Sequence, residues 1–141
     1  MILFCNFEEL RAISAGAELL LSGESDASGG GVAAPPEAIT EVERLQPRLT
    51  ASLEIATLAE QKALRSALSL ICETLHTRME DKVLEYHPAH EEAVSLYFDY
   101  AHVFAVLGRL EEMGAEMTAI IELMTGSPPT AEDMATINFP D

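Results

Sequence analysis

Residues 48 to 86 contain neither Gly nor Pro, and a run of that length in a chain of 141 residues leaves few folds open. Its Leu, Ala, Glu, Lys, Arg and Met content carries strong helix propensity, because these side chains lose little freedom in a helix. Leu64, Leu68, Ile71, Leu75, Met79 and Val83 recur at steps of three and four, which marks one apolar stripe. His87-Pro88 ends the run. Pro88 followed by Glu91 and Glu92 suits a new helix start, where Pro loses no bond and acids face the dipole. The second run continues to Thr125, where Gly126, Pro128 and Pro129 stop it. The sequence therefore predicts an all-α fold centred on a long antiparallel helical hairpin, residues 48 to 86 and 89 to 125, reversing at 87 and 88.

The remainder reads as short helices and connections. Asn6 is placed to cap a helix over Phe7 to Leu21, with Glu9 reaching back and Cys5 packing on Leu10. Leu10, Ile13, Ala17, Leu20 and Leu21 form its apolar face, and Ser22-Gly23 stops it. Met1 to Phe4 has strand character, but no later segment offers an evident partner. Residues 22 to 36, with Gly29-Gly30-Gly31, bury too little apolar surface to offset ordering entropy and read as a flexible Gly/Ser/Pro linker. Pro35-Pro36-Glu37 opens a short helix to Gln46, and Pro47 separates it from the long run or kinks the two together. Residues 126 to 141 form a tail in which Thr130 and Asp133 cap one short turn. At this length, residues 1–21, 22–36, 37–125 and 126–141 make one structural domain.

Eight Lys and Arg stand against 24 Asp and Glu, a net charge of -16 that repels phosphate backbones and anionic lipid. Neither direct nucleic-acid binding nor a membrane surface fits. Cys5 and Cys72 share no motif spacing and sit among apolar neighbours, so both read as reduced core thiols. The opening Met1-Ile2-Leu3-Phe4-Cys5 has no basic segment and does not resemble a secretory signal. The apolar stretch from Ala93 to Gly108 carries Asp99 and His102 and falls short of the ~20 residues a membrane span needs. The expected compartment is the cytoplasm.

The second long helix has two apolar faces. Val103, Val106, Leu110, Met113, Met117, Ile120 and Met124 alternate by three and four, the seam of a coiled coil, and are read as an interface. Ala93, Tyr97, Tyr100, Ala101, Phe104 and Leu107 lie elsewhere on the wheel. Each long helix should extend ~55 Å, more than two short helices can cover. Self-association follows, most simply two hairpins forming a four-helix bundle about a two-fold axis. The alternative is a monomer whose N-terminal helix and tail cover both faces. Residues 42 to 86 carry six basic residues against seven acids, whereas residues 89 to 141 carry Arg109 alone against ten acids. Antiparallel arms would bring Lys62 and Arg65 towards Glu111, Glu112 and Glu116, and Lys82 towards Glu92, pairs that select register rather than hold the fold.

Two acid-x-x-His patterns, Glu73 to His76 and Asp99 to His102, mirror one another about the reversal. Carboxylate-bridged di-iron and di-manganese bundles use Glu-x-x-His on facing helices, so these four residues are the candidate ligands for Fe, Mn or Zn. The resemblance to ferritin-like proteins is confined to this spacing: the motifs lie on consecutive arms, Glu73 projects away from the Leu64–Leu75 stripe, and no motif specifies further ligands such as Glu80 or Glu18. The turn residues His87 and His90 are explained by helix capping, and Met113, Met117 and Met124 by adaptable core packing. No nucleophile or phosphate-loop motif is present. The reading is a non-enzymatic helical protein-protein interaction or scaffold module acting as a homo-oligomer, a dimer most simply, with a further protein partner. The alternatives are a metal-binding bundle and an acidic mimic of nucleic acid.

Overall fold

The computed structural model describes residues 1–22 and 36–140. Apart from its two end residues, the linker expected over 22–36 lies outside the described residues. The chain is all-α in class, with one minimal two-stranded sheet among the described residues. In order it forms β1 (Ile2–Phe4), α1 (Phe7–Leu21), α2 (Pro36–Leu45), a 3-10 turn (Gln46–Arg48), β2 (Ser52–Glu54), α3 (Leu58–Glu85), α4 (Glu91–Thr125) and α5 (Ala131–Thr136).

The helix ends follow local chemistry. The Asn6 side chain accepts from the Glu9 amide at 2.8 Å while Glu9 Oε1 accepts from the Asn6 amide at 2.9 Å, a reciprocal cap that satisfies two donors. Thr57 Oγ1 accepts from the Glu60 amide at 3.2 Å to start α3. At the reversal the imidazoles cap the backbone: His87 Nδ1 accepts from the Ala89 amide at 3.0 Å and His90 Nδ1 from the Glu92 amide at 3.2 Å. Gly126 closes α4 at φ 75°, a left-handed conformation that glycine adopts without a Cβ penalty.

The expectation of a helix from residue 48 is corrected. Leu49 to Thr57 is non-helical, and β2 within it pairs antiparallel with β1, so Met1–Phe4 does have a partner: Ile2 faces Glu54, Leu3 faces Leu53 and Phe4 faces Ser52. The reason is a two-residue period inside a helix-compatible composition. Leu53 and Ile55 are buried while Ser52 and Glu54 are exposed, and β1 buries Leu3 and Cys5 on the same side. The Ile55 amide donates to the Met1 carbonyl at 2.8 Å, the Cys5 amide to Ala51 at 3.0 Å, and the Phe139 amide to Ala56 at 2.7 Å, which ties the C-terminal segment to the same corner.

α3 and α4 pack antiparallel along much of their length. Lys82 Nζ lies 3.1 Å from Glu92 beside the reversal, and Arg65 Nε lies 3.3 Å from Glu111 further along. Leu64, Leu68, Ile71 and Leu75 are buried as the stripe implied, each contributing about 1.5 to 3 kcal/mol for a fully buried aliphatic side chain. Gln61 is buried among them and donates from Nε2 to the Leu110 carbonyl at 2.8 Å.

α1 lies across both long helices, and α2 packs on α3 through Val42 and Leu45. Gly16 lets α1 approach α3 closely, since a Cβ there would sit 2.5 Å from Ile71 Cγ2. The ties to α4 are ionic: Arg11 Nη2 to Asp99 at 2.9 Å and Arg109 Nη2 to Glu9 at 2.6 Å.

Candidate functional site

With α3 and α1 against it, α4 has a buried side and an outward side, and both are apolar. Val103, Val106, Leu110, Met117 and Ile121 retain no exposed surface. A side chain without accessible area cannot add area to a contact with a second chain. Of the seam read from the sequence as an interface, Val103, Val106, Leu110 and Met117 therefore serve the chain's own core. Met113 and Ile120 are half-buried, and Met124 is exposed.

The outward face of α4 is where apolar surface remains. Tyr97, Phe98 and Phe104 are 54%, 55% and 56% exposed, and Val94, Ala105 and Gly108 are exposed beside them, with Ala101 half-buried. Val94, Phe98, Ala101, Ala105 and Gly108 alternate by four and three, the spacing that keeps one line of residues facing a neighbouring helix. Tyr97 and Phe104 flank that line. Ring contacts continue sideways from Phe104 to Tyr100 at 5.8 Å and from Tyr100 to His76 on α3 at 5.2 Å. Beyond Gly108 the same face turns acidic at Glu112, Glu116 and Glu122, which are exposed and have no ion-pair partner among the described residues.

Gly108 separates this face from ordinary surface. Glycine within a helix costs about 1 kcal/mol relative to alanine. At Gly16 and Gly114 internal packing explains that cost, because a Cβ would collide with Ile71 and with the Gln61 amide respectively. At Gly108 a Cβ would meet nothing within 4 Å.

The four candidate metal ligands occupy separate environments. Glu73 is exposed. His76 Nδ1 lies 2.9 Å from Glu80 Oε1 on its own helix, and Asp99 is buried beneath Arg11. His102 Nδ1 lies 2.7 Å from the Phe98 carbonyl, which accepts its proton. Among the described residues no group of three or more His, Cys, Asp or Glu is gathered as a cation would require.

Titration properties follow packing. The Arg109 hydrogen bond holds the Glu9 carboxyl below the usual glutamate range and raises Arg109 in turn. Burial pushes the Cys72 thiol up to about 11, and burial beside Glu9 raises Cys5. Both cysteines are free and buried, which makes them packing groups rather than nucleophiles.

One feature was not read from the sequence, and a second only in part, through Tyr97, Ala101 and Phe104 on the second apolar face. The Glu9–Arg109 pair joins positions 100 residues apart and has no local signature. The outward stripe had one: Val94, Phe98, Ala105 and Gly108 repeat the alternation already visible in the buried seam. Among the described residues, no helix is long and apolar enough to cross a membrane. No known protein family, curated protein or solved structure matches the chain.

Proposed function

We propose that this chain is a non-enzymatic helical interaction module that acts as a homodimer, two α3–α4 hairpins packing through the outward face of α4 into a four-helix bundle. The exposed aromatic face around Ala101 carries this reading. Its residues lie symmetrically about that alanine: Phe98 and Phe104 three positions away, Tyr97 and Ala105 four, Val94 and Gly108 seven. An antiparallel copy centred there sets Val94 against Gly108, Tyr97 against Ala105, and Phe98 against Phe104. Two of these pairs set a large residue on a small one and the third sets ring beside ring, the self-complementarity that a two-fold interface requires. Gly108 then has a use, as the notch that receives Val94.

The contact would run ~21 Å along each helix. Beyond Gly108 the same register brings Glu111 of one copy level with Glu91 of the other, so like charges adjoin both ends of the contact. Because each chain carries a net charge of -16, added salt should strengthen the association by screening repulsion, whereas an ionic interface would weaken.

Sedimentation equilibrium tests the reading. The wild type should show twice the 15.3 kDa chain mass, and Ala105→Glu should show a single chain mass with unchanged helical circular dichroism. A wild type that remains monomeric at all concentrations, or an Ala105→Glu variant that still dimerises, contradicts it.

A further inference from the structure

A second surface, adjoining the acidic end of the outward face of α4, has its own unused bonding groups. In the two-stranded sheet, Met1, Leu3 and Cys5 direct their backbone groups at β2: Met1 exchanges bonds with Ile55, and the Cys5 amide reaches Ala51. Alternation along a strand then turns the N–H and C=O of Ile2 and Phe4 to the opposite edge. There Arg109 Nη2 donates to the Phe4 carbonyl at 3.0 Å. The Ile2 N–H, the Ile2 carbonyl and the Phe4 N–H have no partner among the described residues. This edge borders a groove of about 470 Å³ walled by Ile2, Phe4, Arg109, Glu112, Met113 and Glu116. Phe4 is 67% exposed.

We propose that this groove docks an extended segment of another protein, one alternating cationic and apolar residues, as a third strand on β1. Three observations select that occupant. The open edge offers two donors and one acceptor in strand geometry, which an extended backbone satisfies and a helix, with its own groups already paired, does not. Arg109 is neutralised by Glu9 and the Met1 ammonium is bonded to the Ile55 carbonyl, so the charge left on the groove's side chains is that of Glu112 and Glu116. Met113 and Phe4 supply apolar surface between those carboxylates, matching a segment in which every second residue is apolar. A second copy of this chain, at net charge -16, brings the wrong sign to the same place.

The test uses capped eight-residue peptides of alternating Val and Lys, with amide resonances of the full-length protein followed by NMR. The Val–Lys peptide should bind, slow hydrogen exchange at the Ile2 and Phe4 amides, and lose at least about tenfold in affinity in a Glu112→Gln, Glu116→Gln double variant. The same peptide with alternate backbone amides methylated keeps its charge but lacks strand donors, and should also bind at least about tenfold more weakly. Equal binding of the methylated peptide would reduce the interaction to charge attraction and overturn the strand assignment. Binding unaffected by the double variant, binding of a Val–Glu peptide, or Ile2 and Phe4 amides protected without peptide through edge pairing between copies would each overturn the proposed occupant.

Discussion

Glu9 accepts from Arg109 at 2.6 Å with the same Oε1 that accepts from the Asn6 amide at 2.9 Å, so one carboxylate both caps α1 and ties it to α4. Arg109 is the sole Lys or Arg after residue 88. Arg109→Met should destabilise the fold by about 2 kcal/mol, less than the loss of a fully buried pair because the guanidinium is half-exposed. Glu9→Gln keeps a capping oxygen and should cost about 1 kcal/mol. The Glu9 pKa is depressed in the fold, so its contribution is present above the unfolded value of about 4.3 and is lost as pH falls through the lower folded value. Glu9→Gln should therefore flatten the acid limb of the stability profile, read by urea unfolding from neutral pH to about pH 3. An unchanged acid limb would remove Glu9 from acid unfolding.

Among the described residues, the three helical glycines separate cleanly by substitution. Gly16→Ala and Gly114→Ala should each destabilise by about 1 to 3 kcal/mol, since Ile71 and the Gln61 amide stand where the Cβ must go. Gly108→Ala should stabilise the dissociated chain by about 0.5 to 1 kcal/mol, because nothing lies within 4 Å and helix propensity decides. Denaturation in dilute solution checks all three. A loss at Gly108 equal to that at Gly114 would contradict an open outward face.

Cys72 should be inert in the folded chain. Burial raises its thiol to about 11, so at neutral pH the nucleophilic thiolate is scarce as well as inaccessible. Ellman's reagent at pH 8 should react with neither cysteine until denaturant is added. The sign for stability is opposite to that of Glu9: the contribution is full below the unfolded thiol value of about 8.5 and declines as pH rises towards the folded one.

The central helices were legible in the sequence because their period and their caps are local. Leu64, Leu68, Ile71 and Leu75 mark α3, and Gly126 with the two prolines after it closes α4. The boundary at residue 58 was not, since Thr50 to Ile55 carries no Gly or Pro. There a two-residue alternation, rewarded by pairing with Met1–Phe4 some 50 residues earlier, outweighed helix propensity. The same nonlocality hid Glu9–Arg109. It also explains why the alternating seam from Val103 to Met124 read as an interface: periodicity shows that a face is covered, and only α3 and α1 in place show by what.

Metal binding by Glu73, His76, Asp99 and His102 would compete with the Arg11 guanidinium for Asp99 and would need the exposed Glu73 brought to the same point, whereas His102 could ligate through Nε2 with its Nδ1 proton still on the Phe98 carbonyl. Fe²⁺, Mn²⁺ or Zn²⁺ in about tenfold excess should leave the midpoint of thermal unfolding unchanged, because a ligand stabilises only a state that it binds. A rise that is abolished by Asp99→Asn together with His102→Ala would support the metal reading.

Disulfide trapping tests the α4 dimer most directly. A two-fold axis through Ala101 sets that residue against its own copy, within the ~4.4 to 6.8 Å between Cα atoms that a disulfide bridges. Mild oxidation of Ala101→Cys should give a covalent species of twice the 15.3 kDa chain mass that reverts on reduction. Leu123→Cys, 88% exposed and away from the axis, should remain a single chain under the same conditions. Cross-linking of Leu123→Cys with none at Ala101→Cys would contradict the outward face of α4 as the site of self-association.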